Sequence, residues 1–145
     1  MWRALVGLVI LALVVASCGG EPKTGVSPEE ALREIAETSQ LFANEGKWAT
    51  FYGGTLSPRY REVCDYDTFV ANTLLNEVLL RKAIGLEAEA PLEWVVVDVA
   101  VDGREGRVWR GLVLNGEVAK RDTPDRWVLL DKEWWLEPEG WEQGC

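Results

Sequence analysis

The apolar residues of this chain change their spacing once, between Gly85 and Pro91, and the change separates a helical half from a strand-forming half. Before it they recur every three or four positions, which keeps them on one face of a helix; after it they alternate, which keeps them on one face of a strand. Ser27-Pro28-Glu29-Glu30 is a strong helix start, with Ser27 as N-cap, Pro28 at the first helical position and Glu30 completing a capping box. Leu32, Ile35, Ala36, Ser39, Phe42 and Ala43 then share a face, and Asn44-Glu45-Gly46 ends the helix. A short second helix from Lys47 to Thr55 brings Trp48, Phe51 and Tyr52, and Gly53-Gly54 is expected to close it. Leu56 to Glu62 is a connector in which Ser57-Pro58 allows a brief helical turn. Asp65 or Asp67 caps a long third helix carrying Phe69, Val70, Leu74, Leu75, Val78 and Leu79, which stops near Gly85.

Glu87 to Pro91 is a linker. Beyond it Val95, Val97, Val99 and Val101 are expected on one face of a strand, with Trp94, Val96, Asp98 and Ala100 on the other. Asp102-Gly103 is a preferred hairpin dipeptide, and a second strand follows from about Arg107 to Leu114 before the turn signal Asn115-Gly116. A third strand runs from Arg126 to Leu130, and a fourth from Trp134 to Glu137 after a tight turn at Asp131-Lys132. Helices first and an antiparallel meander afterwards imply an α+β fold, with helices over one face of a four-stranded sheet.

The N-terminus sets the expected compartment. Arg3 precedes an apolar run from Ala4 to Ala16 that is too short to span a bilayer, which needs about 20 residues. Val15-Ala16-Ser17-Cys18 resembles the lipobox of bacterial lipoproteins, and the resemblance implies that Cys18 is lipidated and becomes the first mature residue. An ordinary secretory leader is the alternative. The expected division is a signal peptide over 1–17, a tether over 18–26 and one α+β domain over 27–145, lipid-anchored at the cell membrane on its extracytoplasmic side. In such a space the two other cysteines, Cys64 and Cys145, either form a disulfide or remain separate thiols.

The chain carries a net charge of −9, and because Arg3 is the only charged residue of the leader, the remainder holds 14 Lys plus Arg against 24 Asp plus Glu. That sign disfavours nucleic acid as a partner and disfavours direct adhesion to anionic lipid, leaving the N-terminal lipid as the membrane contact. Histidine is absent, which removes the commonest metal ligand and the usual general base. The acidic residues are scattered rather than spaced as a calcium loop, so neither a metal nor another cofactor is expected. No glycine loop precedes a helix in the manner of a phosphate site.

The order of helix, short aromatic helix, Ser-Pro connector, long helix and antiparallel sheet resembles the nuclear transport factor 2-like superfamily over residues 27 to 137. The closing hairpin Trp127-Val128-Leu129-Leu130-Asp131-Lys132-Glu133-Trp134-Trp135 carries the likeness, with Lys132 where glycine is usual. The resemblance implies a curved sheet closed by helices into a cone with an apolar pocket. It also implies a choice between ligand or partner binding and isomerase, dehydratase or cyclase-type chemistry. Trp48, Tyr52, Trp94, Trp109 and Trp127 are the pocket candidates, because the chain has eight tryptophans and strand alternation cannot bury them all. A binding or scaffold module is the preferred reading, for a small apolar ligand or a protein partner, with a homodimer through the sheet face as a further expectation. The catalytic alternative rests on Asp98 as general acid or base in a dry pocket. Against it, a two-residue turn at Asp102-Gly103 places Asp98 opposite Arg107 as a surface ion pair, which is the expectation we carry forward.

Overall fold

The computed structural model describes residues 25–143 and 145; the expected leader, Cys18 and most of the tether lie outside these residues. Four helices come first: α1 (Pro28–Asn44), α2 (Trp48–Thr55), α3 (Pro58–Val63) and α4 (Tyr66–Ile84). Five strands follow: β1 (Glu93–Asp102), β2 (Glu105–Leu114), β3 (Glu117–Lys120), β4 (Asp125–Leu130) and β5 (Glu133–Leu136), with a single 3-10 turn at Trp141–Gln143. The result is α+β, helices on a curled antiparallel sheet.

Local chemistry explains most boundaries. Ser27 Oγ accepts from Glu30 N at 3.2 Å while Glu30 Oε2 accepts from Ser27 N at 3.0 Å, so the capping box satisfies two free amides of α1. Asp65, not Asp67, caps α4 by accepting from Thr68 N at 2.9 Å. Those bonds to Thr68 favour the carboxylate and pull its pKa below the usual value. Gly85 ends α4 in the left-handed region, at φ +69°. The second helix runs through Gly53-Gly54 to Thr55 rather than closing there. Its last residue is buried, and Thr55 Oγ1 donates to Ser39 Oγ of α1 at 2.9 Å, a tertiary gain that overrides the poor helix propensity of glycine.

The sheet runs β1-β2-β4-β5, and β3 is a fifth strand beyond the four expected. It pairs with Gly111 to Leu114 of β2, while β4 pairs with Glu105 to Val108 of the same strand. Its four residues are all exposed and only Val118 is a typical strand former, so no alternation marks it in the sequence. Asn115 (φ +52°) and Gly116 (φ +81°) form the expected primed turn into β3. Asp131 (φ +50°) and Lys132 (φ +71°) make the same left-handed pair without glycine, at a cost of roughly 1–2 kcal/mol per residue.

Two corrections concern the first hairpin. Its turn residues are Gly103 and Arg104, with Asp102 opposite Glu105, so Gly103 occupies the first central position with φ +60°. Farther along, Val97 is bulged: Val96 lies opposite Arg110 and Asp98 opposite Trp109. The extra residue reverses the alternation, so Val96 packs inward together with Val99 and Val101. Because the turn is at Gly103-Arg104 rather than Asp102-Gly103, Arg107 faces Ala100, not Asp98.

Two clusters fill the interior. In one, Leu32 and Ala36 of α1 pack on Val108, Trp127 and Trp134 of the sheet. Gly106 permits that approach, since a Cβ there would sit 2.3 Å from Leu32 Cδ2. The other gathers Phe51, Leu56, Tyr60, Cys64 and Phe69 from the helices, and Leu136 of β5 packs against both.

Candidate functional site

Between α1, α2, α4 and the inner face of the first hairpin lies a cavity of about 540 Å³. Trp48 and Phe51 enter it from α2, Phe69 from α4, Trp94 from β1 and Trp141 from the segment after β5. These rings are held from several directions. Trp48 meets Phe51 and Phe69 edge-on, with centroids 6.2 and 6.4 Å away, and Phe51 stacks on Phe69 at 6.0 Å.

Trp94 is fixed by its backbone as well as its ring. Asn44, the last residue of α1, donates Nδ2 to Trp94 O at 2.8 Å and accepts from Trp94 N at 3.1 Å on Oδ1, standing in for a neighbouring strand at an open edge. Gln40 donates to the same Asn44 oxygen at 3.0 Å and accepts from Arg110 Nη1 at 3.1 Å. Arg110 reaches Asp125 of β4 with Nη2 at 3.0 Å and lies over the Trp94 ring, 5.4 Å from its centroid. Each polar group here satisfies another, so this network is a brace for the cavity wall.

The wall after β5 is pinned at three points. Glu137 is fully buried and accepts from Arg59 Nε at 2.9 Å, with Arg126 Nη1 3.5 Å from its other oxygen. Arg59 in turn lies 5.5 Å from the Trp141 ring centroid. Cys145 is joined to Cys64 by a disulfide with Cα atoms 5.3 Å apart, and its carbonyl accepts from Asn72 Nδ2 of α4 at 2.6 Å. Trp141 Nε1 is buried and has no hydrogen-bond acceptor among the described residues.

From α4 the cavity receives polar side chains: Asn72, Thr73 and Asn76 line it. Tyr60 lines it as well, and burial, then the neighbouring Tyr52, push the Tyr60 phenol above its ordinary pKa, so it stays a donor at neutral pH.

Of the five pocket candidates, Trp48 and Trp94 line this cavity. Tyr52 does not: its hydroxyl donates to Cys64 O at 2.7 Å and its ring packs on Tyr66 and Phe69. Trp127 is buried in the α1–sheet cluster and borders only a water-sized void of about 10 Å³. Trp109 sits opposite Asp98 with Lys120 Nζ 5.3 Å from its ring centroid, on the other side of the sheet. Asp98 is exposed there, 3.6 Å from Lys120 Nζ, and lines no cavity; the ion pair expected with Arg107 is instead made with β3. Trp141, Asn72 and Asn76 are site residues the sequence did not single out. A Cys64–Cys145 bond is the signal that finds them, because it folds the segment carrying Trp141 back onto the start of α4.

Among the described residues no cluster of three or more acidic or cysteine side chains has the arrangement of a metal site, and no helix is long and apolar enough to cross a membrane. No family model and no curated protein matches the chain. Among solved structures it is similar to a Campylobacter jejuni protein described as an NTF2-like transpeptidase, at 10% identity and a TM-score of 0.36, over 77% of this chain and 97% of that one. A likeness of that size carries no argument about activity.

Proposed function

We propose that this protein is a binding module whose ligand is a small molecule with an aromatic or apolar body and at least one hydrogen-bond acceptor. The carrying observation is the 540 Å³ cavity itself, into which Trp48, Phe51, Phe69, Trp94 and Trp141 converge from four parts of the chain. Trp48, Phe51, Phe69 and Trp94 offer ring faces for the apolar body, while Asn72, Thr73 and Asn76 offer further donors and acceptors. The volume lies within the range of small-molecule sites, roughly 300–1,000 Å³.

In the same reading the module works on the extracytoplasmic side of a membrane, held by lipid on Cys18. The lipobox resemblance supports this, and the Cys64–Cys145 bond fits an oxidising space. Asp98-based catalysis has no support, since that carboxylate is exposed beside Lys120 and away from the cavity.

Anilinonaphthalene sulfonate, an aromatic dye with acceptor oxygens, is a suitable first probe. Saturable binding is expected, weakened about tenfold by Trp141→Ala and blocked by Thr73→Trp, with Leu75→Glu on the outside of α4 leaving it unchanged. Binding that is non-saturable, or indifferent to both cavity variants, overturns the assignment. For the anchor, Cys18→Ala should abolish labelling with a radioactive fatty acid; retained labelling refutes it.

A further inference from the structure

Helix α4 is amphipathic in the reverse sense. Phe69 is the only one of its residues that is buried, and the side it turns to the cavity carries Asn72, Thr73, Asn76 and Glu77. Val70 packs on the helical cluster and Leu80 lines the cavity, but four apolar residues are outside: Leu74, Leu75, Val78 and Leu79 are all about half exposed or more, between 47% and 61%. A helix of this kind leaves the apolar area that normally drives packing in water, at roughly 25 cal/mol per Å².

The outer stripe has an internal symmetry. Read along one face it runs Asp67, Ala71, Leu74 with Leu75, Val78, Lys82, at spacings of three and four. Turned end for end about the midpoint between Leu74 and Leu75, the stripe maps onto itself. Asp67 comes opposite Lys82, Ala71 opposite Val78, and Leu74 opposite Leu75. The charges at its ends are opposite in sign, both side chains are exposed, and neither has an ion-pair partner among the described residues. Small Ala71 against branched Val78 also lets two helices approach closely at two symmetric points.

We infer that the outer face of α4 is a self-association surface, on which a second copy of this chain docks its own α4 antiparallel across a two-fold axis. A two-fold interface needs a patch complementary to itself, and this stripe meets that requirement in both shape and charge. The antiparallel arrangement also sets the acidic, positive-dipole start of each helix beside the basic end of the other. Asp67 to Lys82 spans about 22 Å, a smaller contact than the roughly 1,200–2,000 Å² of a stable interface, so the dimer is a weak one that forms at micromolar concentrations. It is separate from the sheet face and leaves the cavity open, because the stripe and the cavity lie on opposite sides of α4.

The test is sedimentation equilibrium of the full chain in density-matched neutral detergent, where the N-terminal apolar segment is common to every variant. The wild type should associate reversibly. Asp67→Lys and Lys82→Asp should each weaken association about five- to tenfold by setting like charges together at two symmetric points, and the double charge swap should restore it to within about twofold. Val78→Glu should abolish it with an unchanged melting temperature, since that side chain is exposed in the monomer. Monomer at all concentrations, association that survives Val78→Glu, or a charge swap that fails to rescue overturns the inference. If Val78→Glu instead removes binding to neutral phosphatidylcholine vesicles from a chain that is always monomeric, the face belongs to a bilayer and the inference is likewise overturned.

Discussion

Helices α1 and α4 are similar in length and are held in opposite ways. Along its length α1 is held by its side: Leu32 and Ala36 are buried against the sheet, and its polar residues face water apart from Ser39, Gln40 and Asn44, which have partners. By contrast α4 is held by its ends. Asp65 caps its start beside the Cys64–Cys145 bond, Asn72 ties its first turns to Cys145, and Arg81 binds its last turn to the linker carbonyls of Glu87 and Ala90 at 3.1 and 2.6 Å. A helix packed on its side contributes to the core, whereas one fixed at its ends can border a cavity with one face and keep the other free.

That contrast can be broken experimentally. Removing the disulfide with Cys64→Ala and Cys145→Ala should have the largest effect, a loss of about 4 kcal/mol in urea unfolding, because the bond closes a loop between residues 81 positions apart. Hydrogen exchange should speed up first in α4 and around Trp141 while α1 and the sheet stay protected; uniform acceleration would mean that the two halves are one cooperative unit. Next, Leu32→Ala should cost about 3 kcal/mol, as a fully buried leucine leaves a void against Trp127 and Trp134. Ser27→Ala should cost about 1 kcal/mol by opening the capping box, and an unchanged stability would show that α1 is held by its face alone. Smallest of all, Leu75→Ala on α4 should stay within about 0.5 kcal/mol at concentrations too low for association. A loss comparable to that of Leu32→Ala would show that this face is covered within the monomer.

The two helices were also unequally legible. The capping box, the apolar spacing and the end of α1 at Asn44 can all be read from neighbouring residues, because α1 follows the rule that apolar side chains go inward. The same rule, applied to α4, gives its position and length and the wrong face. Which side of α4 meets the core depends on how residues 57–65 turn the chain, and no local signal encodes that. The cavity shows the same limit. Trp48 and Trp94 were found by residue type and position, but Trp109 was misassigned because β2 alternates it outward, opposite Asp98, while its neighbours Val108 and Arg110 face inward. Trp141 needed the disulfide, a contact between distant residues that composition allows and does not require.

The bulge has a consequence for sequence change as well. Strand β1 is in effect two short words read in different phase, with Val97 as the space between them. Losing one residue from the exposed turn at Gly103 alters a loop, and losing Val97 would merge the two phases with Trp94, Val96, Val99 and Val101 all still on the inner face; losing a residue on either side of Val97 instead would turn the apolar residues beyond it out to solvent. Along this strand the count of residues therefore matters more than their identity, and a lineage of such chains should tolerate a deletion at Val97 far better than at its neighbours.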